Sequence, residues 1–562
     1  MHRKIKSLSA LLLIISINIH AQNNNQQEGF GGFGGFGGFG GFGGFGGFEQ
    51  GGEMPDFGQF DMTSMFGDMP EGATGHVDFE SSNLPLIQIF TDSLRITKQQ
   101  KIRARMKITD NGSGKRNRAE DPANNYDGLI GIKIRGNSSA AFTQKRYTIE
   151  LQNDSSKSIK ASLLGMPADD DWVLLGPYND RSMMRDAMAC DLWTEMGHWG
   201  SRSRYAELLL NGEYRGIYLV VEKIKASPDR VNISKIGKEA NETHKNGYIL
   251  RIDAADEDNV NFHSAIDGVG SAGGFGGGFG GFGGFGGFGG EASDQSQSRL
   301  SHPITWSIFY PKKEAVQPTQ ITYVEDFVAQ MEKAIQDGKG YEKYFDVPSF
   351  VDYFIHTELS LNADGLKRSA YFYKDAVDEK GKGGLLHAGP VWDYNLAYGN
   401  CNFCSANDIY AWVYNGCETN PTPAMWKNLA NNNDFMTLVK KRYAELRKGI
   451  LSKEHINAYI DEHAKLLSEA QERHFTKYPT LLEGGKVPED ENASKQNSGN
   501  NNTGGFGGFG GFGGFGGFGV GTMGGGDTAW FDAYAPKDFA DEISILKKWM
   551  SDRIDFLDSQ WK

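Results

Sequence analysis

Three short stretches of this chain combine residue types that can handle phosphate and a metal ion. The first is RGNSSAAFTQKRY, from Arg135 to Tyr147. A Gly/Ser turn between two strands leaves backbone N–H groups free, which suits anions. Lys145 follows on the returning strand, where its ammonium can reach a phosphate as a point charge. The second is SLNADGLKRSAYFYKD, Ser360–Asp375, which joins a helix to a strand and places Asp364 in the loop beside Gly365. The third is HAGPVWDYNLAYGN, His387–Asn400, in which Asp393 follows an apolar Val-Trp pair and precedes a polar loop. Two carboxylates in loops flanking a strand pair can converge at one strand end. One can position or deprotonate a hydroxyl while the other holds a divalent metal. Taken singly, each stretch has a plainer reading, an exposed hairpin lysine or an aspartate capping a turn. Taken together they follow the order of the phosphoryl-transfer apparatus of protein kinases: Gly-rich turn, strand lysine, helix, then two loop aspartates around a strand pair.

These residues need a scaffold, and the apolar periodicity supplies one. LPLIQIFTDS, GLIGIKIRGNSS, KRYTIELQ, DWVLLGP and GYILRID read as strands by alternation or by short apolar runs. Residues 204–224 read as two strands joined at Asn211-Gly212, a strong hairpin signal. DRSMMRDAMACDLWTEMG has helical spacing, with Asp180 near its start and Gly197 at its end. Strand-like sequence resumes at ITWSIFYPKK. Beyond it the pattern turns helical over Gln317–Asp337, Val347–Leu361, Met425–Gly449 and Glu454–Thr476, and again in the closing segment DFADEISILKKWMSDRIDFLDSQW. The expected fold class is α+β, a β-rich lobe over 81–255 and a helical lobe over 304–490 completed by 527–562.

The rest of the chain sets the context. The start, MHRKIKSLSALLLIISINIHAQ, has a basic head, a short apolar run and a small residue at Ala21, the layout of a secretory signal over 1–21. The expected location is therefore exported: periplasm, surface or outside. Gly-Gly-Phe tracts recur at 29–48, 273–290 and 504–519. They define three low-complexity segments, 22–80, 256–303 and 491–526, expected to be disordered; the tracts read either as expanded linkers with no further role or as weak stickers that self-associate or adhere to a matrix through regularly spaced Phe. A net charge of −13 argues against a nucleic-acid partner. The four cysteines include CNFC. With no second C-x-x-C and no His pair nearby, a loop disulfide among Cys401, Cys404 and Cys417 is the better reading than zinc.

Six motifs in order, IKIRGNSS…QKRYTIEL, WVLLGPYNDRSMMRDAM, ELLLNGEYRGIYLVVEKI, GYILRID, NADGLKRSAYFYKD and GPVWDYNLAYGN, resemble the spore-coat protein H (CotH) kinase family. The resemblance implies a divergent, two-lobed protein-kinase-like fold that uses ATP with Mg2+ or Mn2+ to phosphorylate Ser/Thr residues of secreted or surface proteins. It implies that Lys145 contacts phosphate, that Asp364 is the catalytic-loop aspartate and that Asp393 binds metal. Arg135 and Ser138 would sit near the phosphates, and Glu222 where nucleotide is contacted between the lobes. One position departs. Many members carry asparagine five residues after the loop aspartate for a second metal, and here Ser369 stands there, leaving Asn395 to supply an oxygen. Two further readings stay open: a non-catalytic surface or matrix protein that works through its Gly/Phe tracts, and a phosphohydrolase using the same carboxylates. The lack of a His-rich cluster counts against the second.

Overall fold

The computed structural model describes residues 74–235, 243–267, 304–377, 383–417, 420–485 and 533–562. The leader over 1–21 and all three Gly-Gly-Phe tracts lie outside the described residues. Among the described residues, no helix is long and apolar enough to cross a membrane.

The first half closes into a barrel. Its strands are β1 (Leu86–Phe90), β2 (Ile102–Thr109), β3 (Tyr126–Arg135), β4 (Arg146–Gln152), β5 (Asp171–Leu175), β6 (Ser203–Leu210) and β7 (Glu213–Glu222), in the order β1-β2-β3-β4-β5-β7-β6. Neighbours are antiparallel except at the seam, where β1 pairs parallel with β6. Closure leaves no open edge. Period-2 alternation fills the interior: Ile130, Ile132 and Ile134 of β3 meet Tyr147, Ile149 and Leu151 of β4. Arg146 therefore faces out of the barrel. The β6–β7 hairpin turns at Asn211 and Gly212, both at positive φ, as the two-residue turn requires. The sequence reading did not foresee β2 or the closure. The helix α1 (Arg185–Glu195) lies between β5 and β6.

The second half is built on a five-stranded antiparallel sheet, β12-β11-β8-β10-β9, made from β8 (Tyr248–Ile252), β9 (Val260–His263), β10 (Thr305–Tyr310), β11 (Ala370–Lys374) and β12 (Leu386–Ala388). GYILRID, expected in the first lobe, is β8 and pairs with β10 and β11 instead. The helices of this half are α2 (Pro318–Gln336), α3 (Val347–Ser360), α4 (Ala424–Ala430), α5 (Asn433–Leu446), α6 (Lys453–Leu467), α7 (Ala470–Lys477) and α8 (Phe539–Trp561); α7 packs back on the barrel, where Arg473 donates to Glu207 of β6 and Lys477 to Glu213 of β7. Two expected long helices are each broken in two. At 425–449 the break is Asn432, whose side chain takes the Phe435 N–H at 3.0 Å and caps a new helix. At 454–476 it is Ser468, whose hydroxyl donates to the Lys465 carbonyl at 2.8 Å.

The segments carrying the second and third tracts leave and rejoin the body at neighbouring points. Ser264 N–H donates to the Ile304 carbonyl and Glu483 N–H to the Pro536 carbonyl, each at 2.9 Å. Past the third tract, α8 locks the two halves together. Arg185 at the head of α1 is fully buried. It donates to Asp180 at 2.5 Å, to Glu542 of α8 at 2.7 Å and to the Tyr534 hydroxyl at 3.0 Å. Lower on α8, buried Arg553 donates to the Glu358 carbonyl at the end of α3. A disulfide joins Cys404 to Cys417, so CNFC is not a metal-binding pair. Cys190 and Cys401 are buried outside that bond.

Removing Glu542 leaves Arg185 paired with Asp180 alone and takes away one charge-assisted hydrogen bond in the core. Losing such a bond costs roughly 1.5–3 kcal/mol. Glu542→Ala is expected to lower stability by that order in urea melts, and a change below about 1 kcal/mol would contradict the lock. Alkylation after mild reduction of native protein is expected to label Cys404 and Cys417 before the buried Cys190 and Cys401, read by mass spectrometry.

Candidate active site

The β3–β4 turn carries the first side of the site. Gly136 holds φ +107, and a Cβ there would stand 2.1 Å from Ser139 Oγ. Only glycine fits that turn. Arg135 and Arg146 are a register pair across β3 and β4. The Arg135 guanidinium stacks on the Trp392 ring, 5.1 Å from its centroid, and its Nη1 is buried with no hydrogen-bond partner. Burial pulls the Arg135 pKa down, while nearby Asp393 works against that shift. The Arg146 guanidinium donates to Asp393 Oδ1, to Asn179 Oδ1 and to the Gly176 carbonyl, each at 3.3 Å.

Two expected contributors are held by neighbours, Lys145 within the Gly/Ser turn itself and Glu222 at a strand end. Lys145, one residue before Arg146, points with the barrel-facing residues. Its ammonium donates to the Ala140 carbonyl of its own turn at 3.0 Å, with 3% of the residue exposed. The cation that meets Asp393 is thus Arg146, because side chains alternate along a strand. Glu222, at the end of β7, is fully buried. Its carboxylate accepts from Arg202 Nε at 2.7 Å and Nη2 at 2.9 Å, which commits it to holding the strand end. Ser138 opens the short 3-10 turn Ser138–Ala141.

The second side is the loop after α3. The helix stops at Leu361, which adopts φ +49, and the chain turns through Asn362 and Asp364. Asn362 joins two loops. Its side-chain oxygen accepts the Asp364 N–H at 3.3 Å, and its amide donates to the Asp393 carbonyl at 3.4 Å. Burial raises the Asp364 carboxyl pKa; Arg368 opposes this and Asp393 adds to it. Asp253, just past β8, lies in the same electrostatic neighbourhood, and its carboxylate accepts the backbone N–H of Ser369. The serine in the asparagine position therefore takes part through its backbone.

The third side is the loop after β12. Asp393 adopts φ +64 and keeps 46% of its side chain exposed, while Asn395 is 6% exposed. Asp186, which the sequence reading passed over, opens α1 and accepts the Tyr394 N–H on its Oδ1 at 2.6 Å. Burial pushes its pKa up to about 7, with Arg146 pulling it down and Asp393 pushing it further up. A crevice lined by Leu175, Leu219, Val221 and Trp392 opens onto Asp186 and Asp393. The available signal was its place one residue after the buried Arg185, inside a motif already singled out. Arg146 was legible as an outward position on an alternating strand.

Asp393 offers the kind of oxygen donor that hard divalent cations take. Asp393 is a half-exposed carboxylate with the amide residue Asn395 two positions on, and oxygen ligands suit magnesium or manganese. A second acidic group, Asp169, Asp170 and Asp171, is structural. Lys225 reaches all three carboxylates at 3.2, 2.6 and 3.1 Å, and Arg230 stands 3.6 Å from Asp169 and Lys223 3.7 Å from Asp171, so cations of the chain itself answer the cluster.

A family profile described as CotH kinase protein matches residues 132–557, from the strand before the Gly/Ser turn to the closing helix. The chain belongs to the CotH kinase family. Its members' kinase chemistry implies ATP and a divalent metal in general terms. A search of curated proteins finds no match. In this family member the β-rich half is a closed seven-stranded barrel, which departs from the open sheet of an ordinary kinase N-lobe.

The raised pKa of Asp364 has a testable sign. A carboxyl with a folded pKa above its unfolded value keeps its proton longer when folded, so stability falls as pH rises from near 4 through the folded pKa. Asp364→Asn abolishes that loss. The variant is expected to melt higher than wild type at pH 8, with a smaller gap at pH 5; a gap that grows toward acid would refute the assignment.

Proposed function

We propose that this chain is an exported atypical protein kinase that transfers the ATP γ-phosphate to Ser/Thr residues of secreted or surface proteins. The observation that carries this reading is the Asn362 bridge, which holds the Asp364 and Asp393 loops in fixed relation beside Arg146. In the proposed two-lobed, kinase-like arrangement, Asp393 and Asn395 would hold the divalent ion, which would supply positive charge against the phosphates. Arg135 offers a buried, unpartnered donor to a phosphate oxygen, and Arg146 holds the Asp393 carboxylate in place. Asp364, with its raised pKa, accepts hydrogen from the acceptor hydroxyl and orients it. Positioning and electrostatics carry most of such a transfer, since the protein forms no covalent bond. The Gly/Phe tracts, attached at the margins of the body, serve assembly with other copies or with a matrix.

One observation favours a second reading, nucleotide binding without transfer. Ser369 offers its neighbours a backbone N–H where kinases present an amide side chain for a second metal. A single assay separates the two. Purified protein with Mg-ATP and a Ser-rich acceptor is expected to incorporate labelled phosphate, with Asp364→Asn lowering the rate by about 10²–10⁴-fold. Asp393→Ala is expected to abolish both labelling and the rise in melting temperature that Mg-ATP gives to any protein that binds it. A melting shift without labelling supports the second reading, and neither effect defeats both.

A further inference from the structure

Asp393 adopts φ +64 without being glycine. Such a backbone costs about 1–3 kcal/mol and persists only where the surroundings over-determine it. Here they do so through a single peptide. The group joining Asp393 to Tyr394 is gripped at both ends, its carbonyl by the Asn362 amide at 3.4 Å and its N–H by Asp186 Oδ1 at 2.6 Å. The Asp393 carboxylate is steadied separately by Arg146 at 3.3 Å. Asp186 has little freedom to follow a wandering loop. It is the second residue of α1, and its neighbour Arg185 is pinned between Asp180 and Glu542 in the core. The carboxylate that would hold metal thus takes its orientation from the head of a helix anchored in the core by Asp180 and Glu542.

We propose that Asp186 is a positioning residue, clamping the 393–394 peptide so that the Asp393 carboxylate is aimed at the divalent ion. Asp186 acts through this hydrogen bond and not as a ligand. The inference rests on the phosphotransfer reading above, and it concerns the metal step alone. Hydrogen-bond partners that orient a ligand govern metal affinity nearly as strongly as the ligands do.

The deciding experiment is a Mn2+ titration followed by EPR, on full-length protein with a non-hydrolysable ATP analogue. Asp186→Asn keeps an oxygen for the Tyr394 N–H and is expected to bind Mn2+ within about threefold of wild type, whereas Asp186→Ala is expected to bind about 10–100-fold more weakly. Labelling by the alanine variant should recover as Mn2+ is raised, because the missing element is metal affinity. Equal losses in both variants would overturn the proposal by making Asp186 a ligand or a required charge, and unchanged affinity in the alanine variant would overturn it as well. If the alanine variant does not fold by circular dichroism, Asp186→Ser, whose hydroxyl falls short of the Tyr394 N–H, takes its place. Failure of wild type itself to bind Mn2+ with the analogue would overturn the phosphotransfer reading, and is told apart because no variant is involved.

Discussion

The charge on Arg185 has to be answered inside the protein, and much of the architecture follows from how that is done. The residue is fully buried at the head of α1. Asp180 arrives from the turn before the helix, and Glu542 from a helix more than 350 positions later. Losing either carboxylate takes a charge-assisted hydrogen bond out of the core, about 1.5–3 kcal/mol. The barrel half and the closing helix therefore have to assemble together. The same interaction places the next residue, Asp186, against the Asp393 loop. Core electrostatics and the geometry of the site are coupled through one turn of helix.

The site itself is an exercise in tolerated repulsion. Asp364, Asp253 and Asp186 all have raised pKa values, mainly from burial, and Asp393 adds to the shifts of Asp364 and Asp186. Arg146, Arg368 and Arg251 offset part of that cost. Carboxylates crowded this way destabilise a fold when nothing else is present, and a bound cation turns the same crowding into affinity. Asp169, Asp170 and Asp171 make the contrast. There, Lys225, Lys223 and Arg230 supply positive charge permanently.

The low-complexity segments take their place from the same framework. The second was expected from 256, but the chain pairs as β9 there, so the tract itself lies between β9 and β10, whose ends remain hydrogen-bonded; the third precedes α8 at a point where Glu483 meets Pro536. Long insertions at closed points cost little, because loop-closure entropy grows only slowly with length. The body can carry them without rearranging its core.

Local patterns in the chain were enough for most elements. Alternation marked β3, β4 and β6–β7, Asn211-Gly212 marked the hairpin, and the ordered motifs marked the CotH family. These features depend on neighbours in sequence, and periodicity records them. Tertiary structure decided the rest. It closed the barrel, moved β8 into the second sheet, and committed Glu222 to Arg202. It also set Arg146, rather than Lys145, against Asp393, although alternation along β4 already implied that the two point opposite ways. Which face becomes the cleft depends on what is packed against it, and for this chain that was settled by Asp393, Asp186 and Glu542, all distant in sequence.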